Sequence, residues 1–526
     1  MIRLHRIPHV VLALIFVTLV LLPFTNVSGQ QTSGSKLTPP SPIVAPRDTF
    51  TKIDDAYQMG EISYDEKGRL FASALFQRDE MPSKYAPEIV AEDITTHILD
   101  LSHNWDRLSP ETQSLLRGHA GFPDALDWGA SSADCATGAG VILFNAYVDT
   151  LHFRIHYHTS TTTASYANKI GSSAEVGFTV RKNMVFNDAR RDGLLGGGAN
   201  LFDMYLEDLQ AYGFYGVAFA DATDDSSSNP NDYIGYVCVD RNLPADRLQS
   251  TPVHEYHHLV QFAYNAWQFS WLMEATSTWF QEKAFPSNTQ YYSRIATFMQ
   301  YADYELSSTI SDREYGAAAF LLYCDTEVGN DVVRLMWDKS VRNTFSESPG
   351  FQAVKDALKL STYGYDWITF IFDFWAAMQL NYAYASRYSR GYHLYVVDQA
   401  SWSWPQYYAM GAYGGTTISQ SDTNFVLRWG GCDTVAFSSS LSTFKITFDG
   451  DDAGNFMVAA ILLPKEGLGI QASVVRLGPG GPGTSNVATL KIINGLNYNE
   501  IDFFIVNRFY DTGTTSYGWT VSVGPP

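Results

Sequence analysis

Residues 254–258 read His-Glu-Tyr-His-His, and no other segment constrains the fold as tightly. Histidines four positions apart lie one above the other on an α-helix, so the imidazoles of His254 and His258 can reach one metal ion. Glu255 sits one step round from the first of them, within reach of a water on that metal. A chance match to this pattern is uncommon, roughly 0.01 per chain of this composition. The flanks predict a helix, with Thr251 as N-cap and Pro252 as the first helical residue. Val253, Tyr256, Leu259, Val260 and Ala263 form an apolar stripe, opposite a face of His254, His258, Gln261 and Asn265. His257 is read as lying beside the ligands or at the surface.

A third ligand is at hand. Trp271–Phe285 reads as a second helix, stopped by Pro286, and it carries Glu274 in an otherwise apolar stretch. A carboxylate there is costly to bury unless it is paired or bound to a metal. Glu282 is the competitor, but it adjoins Lys283 near the helix end and reads as solvated.

The rest of the chain sets the frame. With 526 residues and 45% hydrophobic content it can bury more than one core. The net charge of -20 repels phosphate backbones, which argues against a nucleic-acid partner. Arg3, His5 and Arg6 precede a 13-residue apolar run, Val10–Leu22, then Pro23 and small residues up to Gly29. This predicts a signal peptide over residues 1–29, too short to span a bilayer, and export with no membrane attachment after cleavage. Four cysteines (Cys135, Cys238, Cys324 and Cys432) allow three pairings in an oxidising compartment, and unpaired buried thiols are the equally open alternative.

Residues 30–48 read as a flexible leader and 49–130 as an N-terminal helical region of propeptide-like character. Breaks fall near Gly60 and Pro82. Strands are predicted at Gly140–Val148, Leu151–His158, Phe202–Leu206 and Tyr233–Asp240. Leu151–His158 alternates, with His152, Arg154, His156 and His158 on its polar face; an ordinary polar face outweighs a second metal site there. Asp221–Asp232 could bind Ca2+ but has no EF-hand pattern, and a solvated loop is the better reading. Helices run from Thr251 to about Ala385. Beyond residue 415, short strands separated by turns such as Asp449-Gly450 and Pro479–Gly483 predict a β-sandwich over 415–526. The main domain spans 131–410.

His254–Gln261 and Trp271–Trp279, with Leu201–Leu206 upstream and Tyr315-Gly316-Ala317 downstream, resemble secreted bacterial zinc metalloproteases of the gluzincin type. The likeness covers about residues 50 to 400. It implies an α+β fold: a gluzincin-like metallopeptidase domain, a mixed sheet followed by helices, here with a C-terminal β-sandwich. It implies one Zn2+ on His254, His258 and Glu274, and a protein or peptide substrate. Glu255 would be the general base for a zinc-activated water, and Tyr315 a donor to the oxyanion. Two departures stand out. The gap from His258 to Glu274 is short, and Thr278 stands where many relatives carry an aspartate that orients a zinc-binding histidine. The competing expectations are an exported binding or adhesion protein with a structural or lapsed zinc site, and a zinc hydrolase of non-peptide amides.

Overall fold

The computed structural model describes residues 46–117, 119, 122, 144–191, 200–223, 229, 231–329, 331–341, 351–359, 367–384, 407–427, 431–452, 454, 456–465, 473–477, 486–507 and 517–526. The signal segment 1–29, residues 30–45 of the leader, Cys135, residues 140–143, most of 224–230 and the 479–483 turn lie outside them.

The fold is α+β. It begins with α1 (Thr49–Gln58), α2 (Tyr64–Phe76), β1 (Ala91–Asp93), α3 (Thr95–His103) and α4 (Pro110–Leu116). Polar caps set three of these starts. Asp48, Ser63 and Ser109 accept the N–H of Thr51, Glu66 and Thr112, and Pro110 opens α4. Then come β2 (Ala146–Asp149), β3 (Phe153–Tyr157), α5 (Ala164–Asn183), β4 (Phe202–Glu207), β5 (Phe214–Thr223) and β6 (Tyr233–Asp240). The helical stretch follows as α6 (Arg247–Asn265), α7 (Ser270–Ala284), α8 (Tyr292–Gln300), α9 (Arg313–Gly316), α10 (Ala318–Glu327), α11 (Asp331–Ser340), α12 (Phe351–Leu358) and α13 (Trp367–Tyr384).

The first sheet is mixed, in the order β1-β5-β6-β4-β3-β2. It is buried on both faces. Along β6, Val237 and Val239 join the core under α5, α6 and α7, while Tyr236 and Cys238 join the core under α1 to α4. The N-terminal helices are thus one layer of this fold, covering Phe214, Val217 and Phe219 of β5. Phe153, Ile155 and Tyr157 of β3 line one core as their alternation predicts. On its other face, His156 meets Asp203 at 2.6 Å and Arg154 forks onto Asp149 at 2.7 and 2.8 Å.

Among the described residues the strands that follow are β7 (Tyr407–Tyr413), β8 (Ile418–Leu427), β9 (Cys432–Ser439), β10 (Thr443–Gly450), β11 (Phe456–Pro464), β12 (Ser473–Leu477), β13 (Asn486–Ile493), β14 (Tyr498–Asn507) and β15 (Tyr517–Gly524). They form a four-stranded sheet, β13-β10-β15-β8, and a five-stranded one, β12-β11-β14-β9-β7. Phe444, Ile446 and Phe448 of the first share a core with Val458, Ala460, Phe503 and Ile505 of the second. The alternate residues Ala459, Ile461, Phe504 and Val506 face the helical core instead, where Phe504 stacks on Phe372 of α13 at 4.8 Å.

Several expectations need correction. Pro252 lies inside α6, which starts at Arg247, five residues earlier than the cap signal placed it. A proline there leaves the carbonyl of Leu248 without its helical donor, and the Ser173 hydroxyl of α5 fills that place at 3.1 Å. β1 interrupts the N-terminal helices. Asp449 and Gly450 stay paired in β10, and the chain turns at Asp451–Gly454. Cys238 is disulfide-bonded, whereas Cys324 and Cys432 are free and buried. No helix among the described residues is long and apolar enough to cross a membrane.

Candidate metal centre

The apolar stripe of α6 packs on the sheet and α5, which turns the opposite face toward α7 and the β1 edge. His254, Glu255 and His258 are all fully buried there, and α7 brings Glu274 to them, also fully buried. The Glu274 Oε2 atom lies 3.0 Å from His254 Nε2 and 3.7 Å from His258 Nε2. The sequence-predicted ligands therefore converge. Glu282 is not among them and pairs with Lys283 at 3.5 Å.

A fourth side chain, which sequence reasoning missed, completes the group. Asp93, the last residue of β1, places Oδ2 3.1 Å from His258 Nε2 and 3.7 Å from His254 Nε2. Its Oδ1 accepts from the backbone N–H and the hydroxyl of Thr95, both at 2.6 Å, which fixes the carboxylate. One ligand atom from each of Asp93, His254, His258 and Glu274 lies within 4.8 Å of all the others. Among the described residues this is the one such group of three or more that could hold a metal ion.

The charge balance calls for a cation. Burial disfavours the charged His254, but hydrogen bonds to Asp93 and Glu274 outweigh it and push its pKa up to about 9. Burial also opposes ionisation of Asp93, yet its contacts with His254 and His258 hold its carboxyl well below the usual range. A proton on His254 thus supplies positive charge beside the buried Asp93 carboxylate. His254 Nδ1 and Glu274 Oε1 are buried without a hydrogen-bond partner.

His258 is oriented from its own helix. Its Nδ1 meets Gln261 Oε1 at 2.8 Å, and the Gln261 amide donates to Met273 O at 2.9 Å and Thr276 Oγ1 at 2.8 Å on α7. The orienting contact that the sequence left in doubt at Thr278 thus comes from Gln261. His257 is neither beside the ligands nor at the surface. It stacks on Phe280 at 4.2 Å in the core, and burial drives its pKa well down.

Glu255 is not a ligand. Its Oε2 lies 3.4 Å from the Thr95 hydroxyl, and Oε1 has no partner. It presses against Gly216 of β5, where a Cβ would stand 2.2 Å from Oε1, so any larger residue there would displace the Glu255 side chain. Burial, then the charges of Asp93 and Glu274, push its carboxyl well above the usual range.

Tyr315 lies beside the centre, its ring 6.0 Å from the His254 ring and nearly parallel to it. Its helix α9 follows two non-glycine residues in the left-handed region, Ser311 and Asp312. Such backbone persists only where the surroundings hold it. Asp55 of α1 accepts from the Ser311 N–H at 2.7 Å, while Thr51 and Arg294 grip Asp312. The N-terminal layer therefore braces the turn that presents Tyr315. No family model matches the chain, and no curated protein is significantly similar to it.

Proposed function

We propose that the chain is an exported zinc-dependent peptidase, gluzincin-like in its main domain, with the paired C-terminal sheets forming a β-sandwich. The observation that carries this reading is Glu255. It is a buried, non-ligating carboxylate one residue from the ligand His254, with one oxygen unsatisfied. A purely structural site has no use for it.

Zinc suits the donor set. Donors at the usual zinc distances stand about 3.4 Å apart at the corners of a tetrahedron, and the N···O separations here are 3.0–3.7 Å. Two neutral imidazoles with carboxylates are ordinary zinc ligands. When bound, zinc polarises a carbonyl as a Lewis acid and acidifies water at neutral pH. The chain's own residues would do the rest. Glu255 Oε1 would take a proton from the attacking water and return it to the leaving amine. Tyr315 is the candidate donor to the developing oxyanion. Export rests on the basic and apolar N-terminus, and the disulfide at Cys238 is in keeping with an oxidising compartment.

A second reading, an exported binding protein with a structural metal, is favoured by one observation: four protein side chains surround the centre, as closed structural sites have. The test offers a peptide mixture to the zinc-loaded full chain and to its Asp93→Ala variant, with and without a chelator. Chelator-sensitive cleavage in either supports the peptidase. Adding Glu255→Gln to the more active form should keep the metal and lower turnover by about 10²–10⁴-fold. Turnover that survives Glu255→Gln would refute the general-base role of Glu255, and no cleavage by either form favours the structural reading.

A further inference from the structure

We propose that Asp93 is a displaceable fourth metal ligand, and that β1 holds the centre closed by occupying the edge of β5 where a peptide substrate would pair. The proposal rests on the peptidase reading above.

Hydrolytic zinc sites keep one coordination position open, usually with three protein ligands. Here the Asp93 carboxylate reaches both histidines, and its other oxygen is fastened by Thr95. The strand that delivers it is short and marginal. β1 has three residues, stands at the edge of its sheet, and pairs with β5 at only two positions, Ala91 with Phe214 and Asp93 with Gly216. Gly216 is also the residue that packs against Glu255. The backbone that β1 covers is therefore the backbone beside the general base. Extended peptides bind by adding a strand to a sheet edge. With β1 displaced, the β5 edge would offer its free hydrogen-bonding groups next to Glu255 and the metal.

The present arrangement leaves no room for substrate. Asp93, His254, Glu255, His258 and Glu274 are all buried. A latch holds β1 in place. Glu92 is buried and contacts Arg247 at the start of α6, accepts from Gln290 at 2.7 Å and from the Thr251 hydroxyl at 3.3 Å. Of the three β1 residues only Ala91 joins an apolar core. Displacing the strand therefore unmasks the centre for the loss of that contact, the Glu92 latch and two pairing positions on β5.

The test uses the cobalt-substituted full chain and acetohydroxamate, a small chelator that needs an open metal position. The unmodified chain should hold one cobalt, and millimolar acetohydroxamate should leave its visible spectrum nearly unchanged. Asp93→Asn and Asp93→Ala should also hold one cobalt, and acetohydroxamate should shift their spectra with an affinity at least about tenfold higher. Glu92→Ala, which loosens the latch and spares every ligand, should fall between. A hydroxamate response of the unmodified chain equal to that of the variants would overturn the proposal. So would folded Asp93 variants that no longer retain cobalt, since the ligand would then be indispensable. If the near-isosteric Asp93→Asn fails to fold, Asp93 is structural and the proposal also falls. If Asp93→Asn opens the cobalt site yet cleaves no peptide, the peptidase reading fails and the assignment of Asp93 stands.

Discussion

At the scale of single residues, the centre divides into side chains whose spacing is written along one helix and side chains that only folding brings near. His254, Glu255 and His258 were legible because helical geometry converts a five-residue pattern into a shared face. Glu274 was legible because a lone carboxylate in an apolar helix needs a reason to be there. Gln261 had been placed on the ligand face but given no role. It holds His258 Nδ1 and ties α6 to α7. Gln261→Ala is expected to weaken metal binding about 10–100-fold with little loss of helix content, checked by competition with a chromophoric chelator; unchanged affinity would mean that the Gln261 contact does not set the imidazole. Asp93 was invisible for the opposite reason. It lies 165 positions from His258 on a three-residue strand with no motif around it, and nothing local distinguishes it from other carboxylates.

At the scale of elements, periodicity located α7, β4 and β6 almost to the residue, because each buries a regular set of side chains. It placed the start of α6 wrongly. Proline is read as a boundary since it cannot donate to the helix, yet here α5 supplies the compensation from outside through Ser173. The consequence is a stability prediction. Ser173→Ala removes the side-chain donor to the freed Leu248 carbonyl and should cost about 1–3 kcal/mol, visible as a lowered midpoint in chemical denaturation. An unchanged midpoint would show that the helix tolerates the proline unaided. β1, β5, β7 and β9 escaped the sequence because edge and mixed strands carry weak alternation. β1 and β5 are the ones that reach the centre, through Asp93 and Gly216.

At the scale of the whole molecule, three bodies of side chains pack together among the described residues: an N-terminal helical layer, the sheet with its ligand-bearing helices, and the paired C-terminal sheets. The layer reaches the centre twice, through Asp93 and through the α1 brace on the turn before Tyr315. Its own integrity depends on charge. Lys67 is buried between Asp54 at 2.5 Å and Asp100 at 2.8 Å. Burial raises the Asp54 carboxyl, but Lys67 and His97 outweigh it and hold it at about 2. Its pKa in the folded chain is thus below the unfolded value of about 3.9. Its stabilisation is complete above that value and is lost as the pH falls from about 4 toward 2. Lys67→Met should cost about 3–5 kcal/mol at neutral pH and flatten this acid transition, as followed by tryptophan fluorescence; an unaltered acid profile would contradict the assignment. The C-terminal sheets were legible as a series of short strands, but their docking on α13 was not, because Phe503 and Phe504 look alike in sequence while they face different cores. The claim on which everything else turns is that four distant side chains enclose a single metal ion. The most direct measurement is the metal content of the purified full chain beside His254→Ala and His258→Ala, after dialysis against a weak chelator. The unmodified protein should hold one tightly bound zinc per chain, and both variants should lose it. A chain that retains no metal, or one whose metal survives removal of either histidine, would contradict that claim.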